Sequence, residues 1–197
     1  MEEKNEVFDT IITFVQSLKK ERDCIESKYK GEESWIWNTS YLLNQIIRQY
    51  NVPAERYLLS EKAKAKWDEI TDEDITKYYY REKVICKHNN IEVIEFKGSS
   101  KIGVKRPLNE NDSFIYRDVF HNEHVVPVEG IIKELLNEDN LTYERIDAIL
   151  KKLYICRMLK EEDRNITEKY HRPNNPKTVI DNIYKKAGIN IVDEYKL

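Results

Sequence analysis

The chain has 197 residues, 40% hydrophobic and 35% charged, with only 5 Gly and 5 Pro, which allows one sizeable core or a main domain with a helical appendage and excludes long disorder. A net charge of −3 gives no global basic field for nucleic acid, although a cleft is read by its own charges. The acidic start MEEKNEVFDT lacks a signal-peptide layout and no apolar run is long enough for a bilayer, so a cytoplasmic protein without a membrane partner is expected.

In chain order, Val7, Ile11, Phe14, Val15 and Leu18 form one apolar helical stripe, expected to end in the charged SLKKERD. A second helix is expected after WIWNTS, with Leu42, Leu43, Ile46, Ile47 and Tyr50 inward, stopping before Pro53. Ser60 is placed to cap a third helix over EKAKAKW. Thr71 and Asp74 in TDED resemble a capping box that opens a short helix into Tyr78–Tyr80. Residues 1–80 therefore read as a helical N-terminal region.

The texture changes after residue 80. Val84-Ile85-Cys86 and Ile91–Phe96 are β-prone runs around Asn89-Asn90, a pair that tolerates the positive φ of a tight hairpin turn. Residues 81–106 hold seven Lys or Arg against three Glu, and GSSK forms a tip between basic strands. Two readings stand side by side: a solvated hairpin and a phosphate-facing ribbon. After the loop RPLNEND, Phe114-Ile115-Tyr116 reads as a short strand that runs into RDVFHNEHVVPV. Ile131, Ile132, Leu135 and Leu136 restore the helical period, and LNEDN breaks it. Thr142 caps the next helix, whose inner face holds Ile146, Ile149, Leu150 and Leu153. LYICRML reads as a strand, and KEEDRNI as a helix start whose acidic first turn suits the helix dipole. HRPNNP is a linker, and a tail helix from Thr178 to Ala187 stops at Gly188.

The chemistry is concentrated in HNEHVVP, residues 121–127, where His121 and His124 flank Glu123; only two other histidines exist, His88 and His171. Carboxylates bind Mg²⁺ or Mn²⁺, and a neutral imidazole activates water, which are the parts of a hydrolytic nuclease. In an extended chain Glu123 and His124 would face opposite sides. The plainer reading is a structural loop whose histidines bond to main-chain carbonyls. Cys24, Cys86 and Cys156 are far apart and form no CxxC, so neither a zinc knuckle nor a disulfide framework is indicated. A Cys–His or Ser–His hydrolase is a distant third reading, because no nucleophile-elbow glycine pattern is present.

EHVVP, with the later YICRMLKEEDRNI, resembles the core of HNH-type (ββα-metal) nucleases, whose members carry an acidic residue, His, two hydrophobics and Pro, as in DHIVP. The resemblance spans about 50 of the 197 residues, roughly 114–168. Together with the periodicities above, it gives an expected α+β fold: the helical N-terminal region 1–80, a β-hairpin and HNH-like core with an inserted helix over 81–172, and a C-terminal linker and helix over 173–197. By the resemblance Glu123 is a metal ligand, His124 the general base and Asp163 the second metal ligand, with His121 assisting as ligand or phosphate binder. Tyr154 stands where the family's base-orienting Asn is sought, and a helical segment, roughly 129–151, separates the two halves. Arg157, Lys160, Arg164, His171 and Arg172 follow closely and as a group would form a phosphate-facing rim. The expected activity is Mg²⁺- or Mn²⁺-dependent cleavage of DNA, in restriction or phage–host conflict, by a homodimer because duplex cutting takes two sites. The competing expectation is a non-catalytic inhibitor or adaptor that binds protein through its helical half, with Trp35, Trp37 and Trp67 as anchors.

Overall fold

The computed structural model describes residues 2–28, 34–50, 52–98, 100–168 and 172–192. The fold is α+β. Helix α1 (Glu2–Lys28) is longer than expected and continues through the charged SLKKERD; α2 (Ser34–Gln49) starts within WIWNTS. Charge alone does not stop a helix, since Lys, Glu and Arg are good helix formers. Ile11, Val15, Leu18, Leu43 and Ile47 are buried as the stripes require, whereas Leu42 is exposed.

Strand β1 (Tyr57–Leu59) follows, in a region that reads from sequence as wholly helical. Helix α3 (Glu61–Ile70) is capped as expected, with the Ala63 amide donating to Ser60 Oγ at 3.1 Å. Thr71 is the C-cap of α3, and Asp74 caps a single 3₁₀ turn, Ile75–Lys77, so the short helix into the tyrosines does not form.

The expected hairpin about Asn89-Asn90 is replaced by two separate ribbons. Strand β2 (Lys83–Ile85) and strand β3 (Ile91–Glu95) do not pair with each other. Strand β3 pairs antiparallel with β4 (Val104–Leu108), with GSSK in the connection, while β2 pairs with β5 (Ser113–Ile115). Asn90 does take a positive φ of 63°, so the turn chemistry holds; the chain simply leaves it toward other partners.

A one-turn helix, α4 (Tyr116–Val119), leads into β6 (Phe120–His124). Then come α5 (Val128–Asn137) and α6 (Tyr143–Leu150), the latter capped by Thr142 as expected. Strand β7 (Ile155–Leu159) is buried at every position and passes directly into α7 (Lys160–Asn165). It is the centre of a three-stranded sheet in the order β1-β7-β6, parallel to β1 and antiparallel to β6. The chain closes with α8 (Pro176–Thr178), which continues as a π-helical stretch over Val179–Tyr184; Gly188, at φ 71°, ends it. Among the described residues no helix is long and apolar enough to cross a membrane.

Among the described residues three apolar clusters pack around this sheet. The first joins α1 and α2 to α5 and α6, the second surrounds Trp67 and Phe120, and the third lies under the C-terminal helix. Strand β7 supplies Ile155 to the first, Leu159 to the second, and Cys156 and Met158 to the third.

Candidate metal centre

Strand alternation decides what HNEHVVP presents. His121 pairs with Met158 and Glu123 with Cys156, so these four share one sheet face; Asn122, paired with Arg157, and His124, paired with Ile155, lie on the other. On the first face His121 Nε2 lies 3.1 Å from Glu123 Oε2 and 4.0 Å from Asp163 Oδ1 of α7. One donor atom from each of the three residues fits within a 4.8 Å set. The first turn of α7 is fixed by Glu162, whose Oε2 accepts from the Leu159 amide at 2.9 Å and from Ser60 Oγ at 2.6 Å. That anchoring aims the next residue, Asp163, at β6.

A cation held about 2.0–2.2 Å from N and O ligands brings those ligands roughly 3 Å apart. The 3.1 Å pair already meets this, and small side-chain torsions suffice to bring in Asp163. One imidazole with two carboxylates is a donor set for a borderline or hard divalent ion, with no thiolate to favour a soft one. Burial pushes the Glu123 carboxyl up, but the hydrogen bond from His121 and the charge of Arg172 outweigh it and hold its pKa down at about 2. No proton therefore has to leave Glu123 before a cation binds near neutral pH.

Arg172 is beneath the site and not on its rim. Its side chain has 0% exposure, and Nη2 lies 2.6 Å from Glu123 Oε1. Its other donors go to the carbonyls of Glu168, His124 and Val125. Arg157 also turns inward: it faces away from Glu123, bonds the Ile75 and Thr76 carbonyls, and stacks on Tyr57. It holds the 3₁₀ turn in place and is not positioned to meet substrate. Lys160 and Arg164 do reach a surface cleft, where Lys160 ties the β3–β4 connection to α4 by donating to the carbonyls of Phe96 and Arg117, and Arg164 braces the connection through the carbonyls of Ser100 and Lys101.

His124 stands apart from the triad. Burial, then the charge of Arg48, lower its pKa to about 4. It borders a second concavity of about 360 Å³ with Asn44 and Arg48 of α2. No protein-family model, curated protein or solved structure matches the chain.

His121 lines both hollows, the one at His124 and a larger cleft of about 580 Å³. Several residues around them were not expected. Arg48 and Asn44 come from the N-terminal helices and left no local signal. Arg117 lies only four residues before His121, and Lys101 belongs to the GSSK tip that the phosphate-facing reading singled out. Tyr184 is fully buried in the third apolar cluster, and burial, reinforced by Cys156 and Glu123, raises its pKa. Of the proposed anchors, Trp67 is core, 3% exposed. The side chains of Trp35, Trp37 and Cys24, and His171 as a whole, lie outside the described residues. Cys86 and Cys156 are buried free thiols, and burial raises the Cys156 pKa, which suits packing and opposes nucleophilic use.

Proposed function

We propose that this chain is a divalent-metal-dependent phosphodiesterase acting on nucleic acid, with His121, Glu123 and Asp163 as the metal-binding set. The observation that carries the reading is their convergence from β6 and α7 in a strand–strand–helix order, β6, β7, α7, with α5 and α6 inserted between the strands. That order is what the resemblance to HNH-type nucleases implies. Mg²⁺ or Mn²⁺ bound there would stabilise charge building on a phosphate and acidify water. The imidazole favours Mn²⁺ over Mg²⁺, which prefers oxygen.

The chain's own residues divide the remaining work. Arg172 keeps Glu123 ionised and oriented, and Glu162 holds the turn that carries Asp163. Lys160 and Arg164 place positive charge beside the triad, where a phosphate would lie. His124, neutral near pH 7, can accept a proton, but a pKa near 4 makes it a weak base. The triad thus carries more of the proposed chemistry than His124 does.

The test is cleavage of labelled single-stranded, duplex and plasmid substrates with Mg²⁺, Mn²⁺ or EDTA. Cleavage is expected with metal only, and faster with Mn²⁺. Glu123→Gln and Asp163→Asn should each lower it by at least about a hundredfold, and His121→Ala should be more damaging than His124→Ala. Cleavage that persists in EDTA, or in the folded Glu123→Gln and Asp163→Asn proteins, would sink the reading. Absence of Mn²⁺ uptake by the wild type in calorimetry would sink it as well.

A further inference from the structure

We propose that the cleft beside the triad takes an unpaired nucleic-acid strand, with Arg117 and Lys101 on its phosphates and Tyr80 stacked against a base. The inference rests on the phosphodiesterase reading and adds to it the form of the substrate. The cleft measures about 580 Å³ and has His121 and Asp163 in its wall, which places it within the range of pockets that enclose a small organic group. Lys101, Arg117, Lys160 and Arg164 surround it, four cations in a chain whose net charge is −3. Lys160 and Arg164 are pinned by main-chain carbonyls. Carbonyls bear no net charge, so these bonds fix both cations without neutralising them; the carboxylates that act on Lys160 are those of Asp118 and of the triad's own Asp163. Arg117 has a loose neighbour in Asp118, 3.9 Å from its Nε.

Tyr80 decides the kind of strand. It is 56% exposed, and the Arg117 guanidinium lies 5.1 Å from its ring centroid, with the Arg117 amide donating to the Tyr80 carbonyl at 3.3 Å. A large aromatic left open beside a cationic cleft is a stacking platform for a base. Only a base that has left its helix can use it. The cleft reaches the triad through His121 and Asp163, and Asp163 lies low in its wall, its side chain 11% exposed. A flexible strand can lower a phosphate to that depth, whereas a duplex keeps its phosphates on a stiff outer surface. Cutting one strand takes one active site, so the twofold pairing expected for duplex cutting is not needed.

Binding separates this inference from catalysis. Fluorescence anisotropy in EDTA would compare one short sequence as single-stranded DNA, as single-stranded RNA and as duplex DNA. The better of the two single strands is expected to bind at least tenfold more tightly than the duplex. Arg117→Ala and Tyr80→Ala should each weaken that binding about tenfold, while Tyr80→Phe, which keeps the ring, should stay within twofold of wild type. Replacing the base nearest Tyr80 with an abasic site should erase the Tyr80→Ala effect. Equal or tighter duplex binding would overturn the inference, and so would a Tyr80→Ala protein that binds single strands normally. Because binding is read in EDTA, it does not depend on cleavage: a single-strand preference that persists where the cleavage assays fail keeps this inference and sinks only the catalytic reading.

Discussion

Glu123 is the residue on which the site turns, because three effects meet on one carboxylate. Burial opposes its charge, while His121 and Arg172 favour it strongly enough to bring its pKa to about 2 from 4.5. A folded-state pKa below the unfolded value stabilises the fold fully above pH 4.5, and that stabilisation is lost as pH falls toward 2. The 16% exposure of Glu123 leaves little solvent screening, so the contribution is on the order of 2–3 kcal/mol. Metal-free wild type should therefore lose its stability advantage over Glu123→Gln across that window, as measured by urea unfolding in EDTA at a series of pH values. A wild-type advantage that did not change with pH would show that Arg172 and Glu123 are not coupled as described. Arg172 itself illustrates what sequence position conceals. It follows the motif closely and reads as a rim cation, yet HRPNNP carries it back under β6, where its side chain is wholly enclosed. Strand alternation, by contrast, is readable in the sequence: it predicts that Glu123 and His124 face opposite sides, as they do in β6, and the same period sets His121 on the face of Glu123.

At the scale of elements, local signals served well wherever the element was itself local. The Ser60 and Thr142 caps, the apolar face of α6 and the strand-to-helix passage from β7 to α7 all follow from neighbouring residues. Pairing across the β region does not. Asn89-Asn90 was a sound turn signal, but nothing within KVICKHNNIEVIEF says that Val84 will lie opposite Phe114 and Val93 opposite Arg106. Those partners are set by how the ribbons pack, which is tertiary information. Strand β1 was hidden similarly, since three residues beside a buried parallel neighbour carry no alternation to read. The β3–β4 ribbon has its own tight point at Gly103. An added Cβ would lie 2.4 Å from Ile94 Cγ2 and 2.7 Å from Phe96 Cζ, and the Phe96 ring supports the Arg164 guanidinium at 4.1 Å. Gly103→Ala should therefore cost about 1–3 kcal/mol through overpacking, measured by chemical denaturation. A neutral or stabilising result would mean that the ribbon relaxes freely and does not hold Arg164 firmly.

For the whole molecule, the consequential feature is that β7 borders all three apolar clusters. The N-terminal helices do not stand aside from the site: Leu43 and Ile47 of α2 share a cluster with Ile131 and Leu135 of α5, and with Ile155 of β7. The same strand meets Leu159's surroundings, including Trp67, at its other end. A cavity made in the first cluster should then be felt in the second, because neither can open without losing its wall on β7. Ile47 is 1% exposed, and Ile47→Ala should cost about 2–5 kcal/mol. In a chain of this length that lowers the thermal midpoint by roughly 2–4 °C for each kcal/mol. The informative reporter is Trp67, isolated by Trp35→Phe and Trp37→Phe, since the chain has 3 Trp. If the protein melts as one unit, the Trp67 fluorescence transition moves down with the far-UV circular dichroism transition, and the two remain superimposed. A Trp67 transition that stays in place while the helical signal is lost early would divide the molecule at β7. The metal-binding strand–strand–helix unit would then owe nothing to α1 and α2, and Arg48 would be a neighbour of His124 without being part of its support.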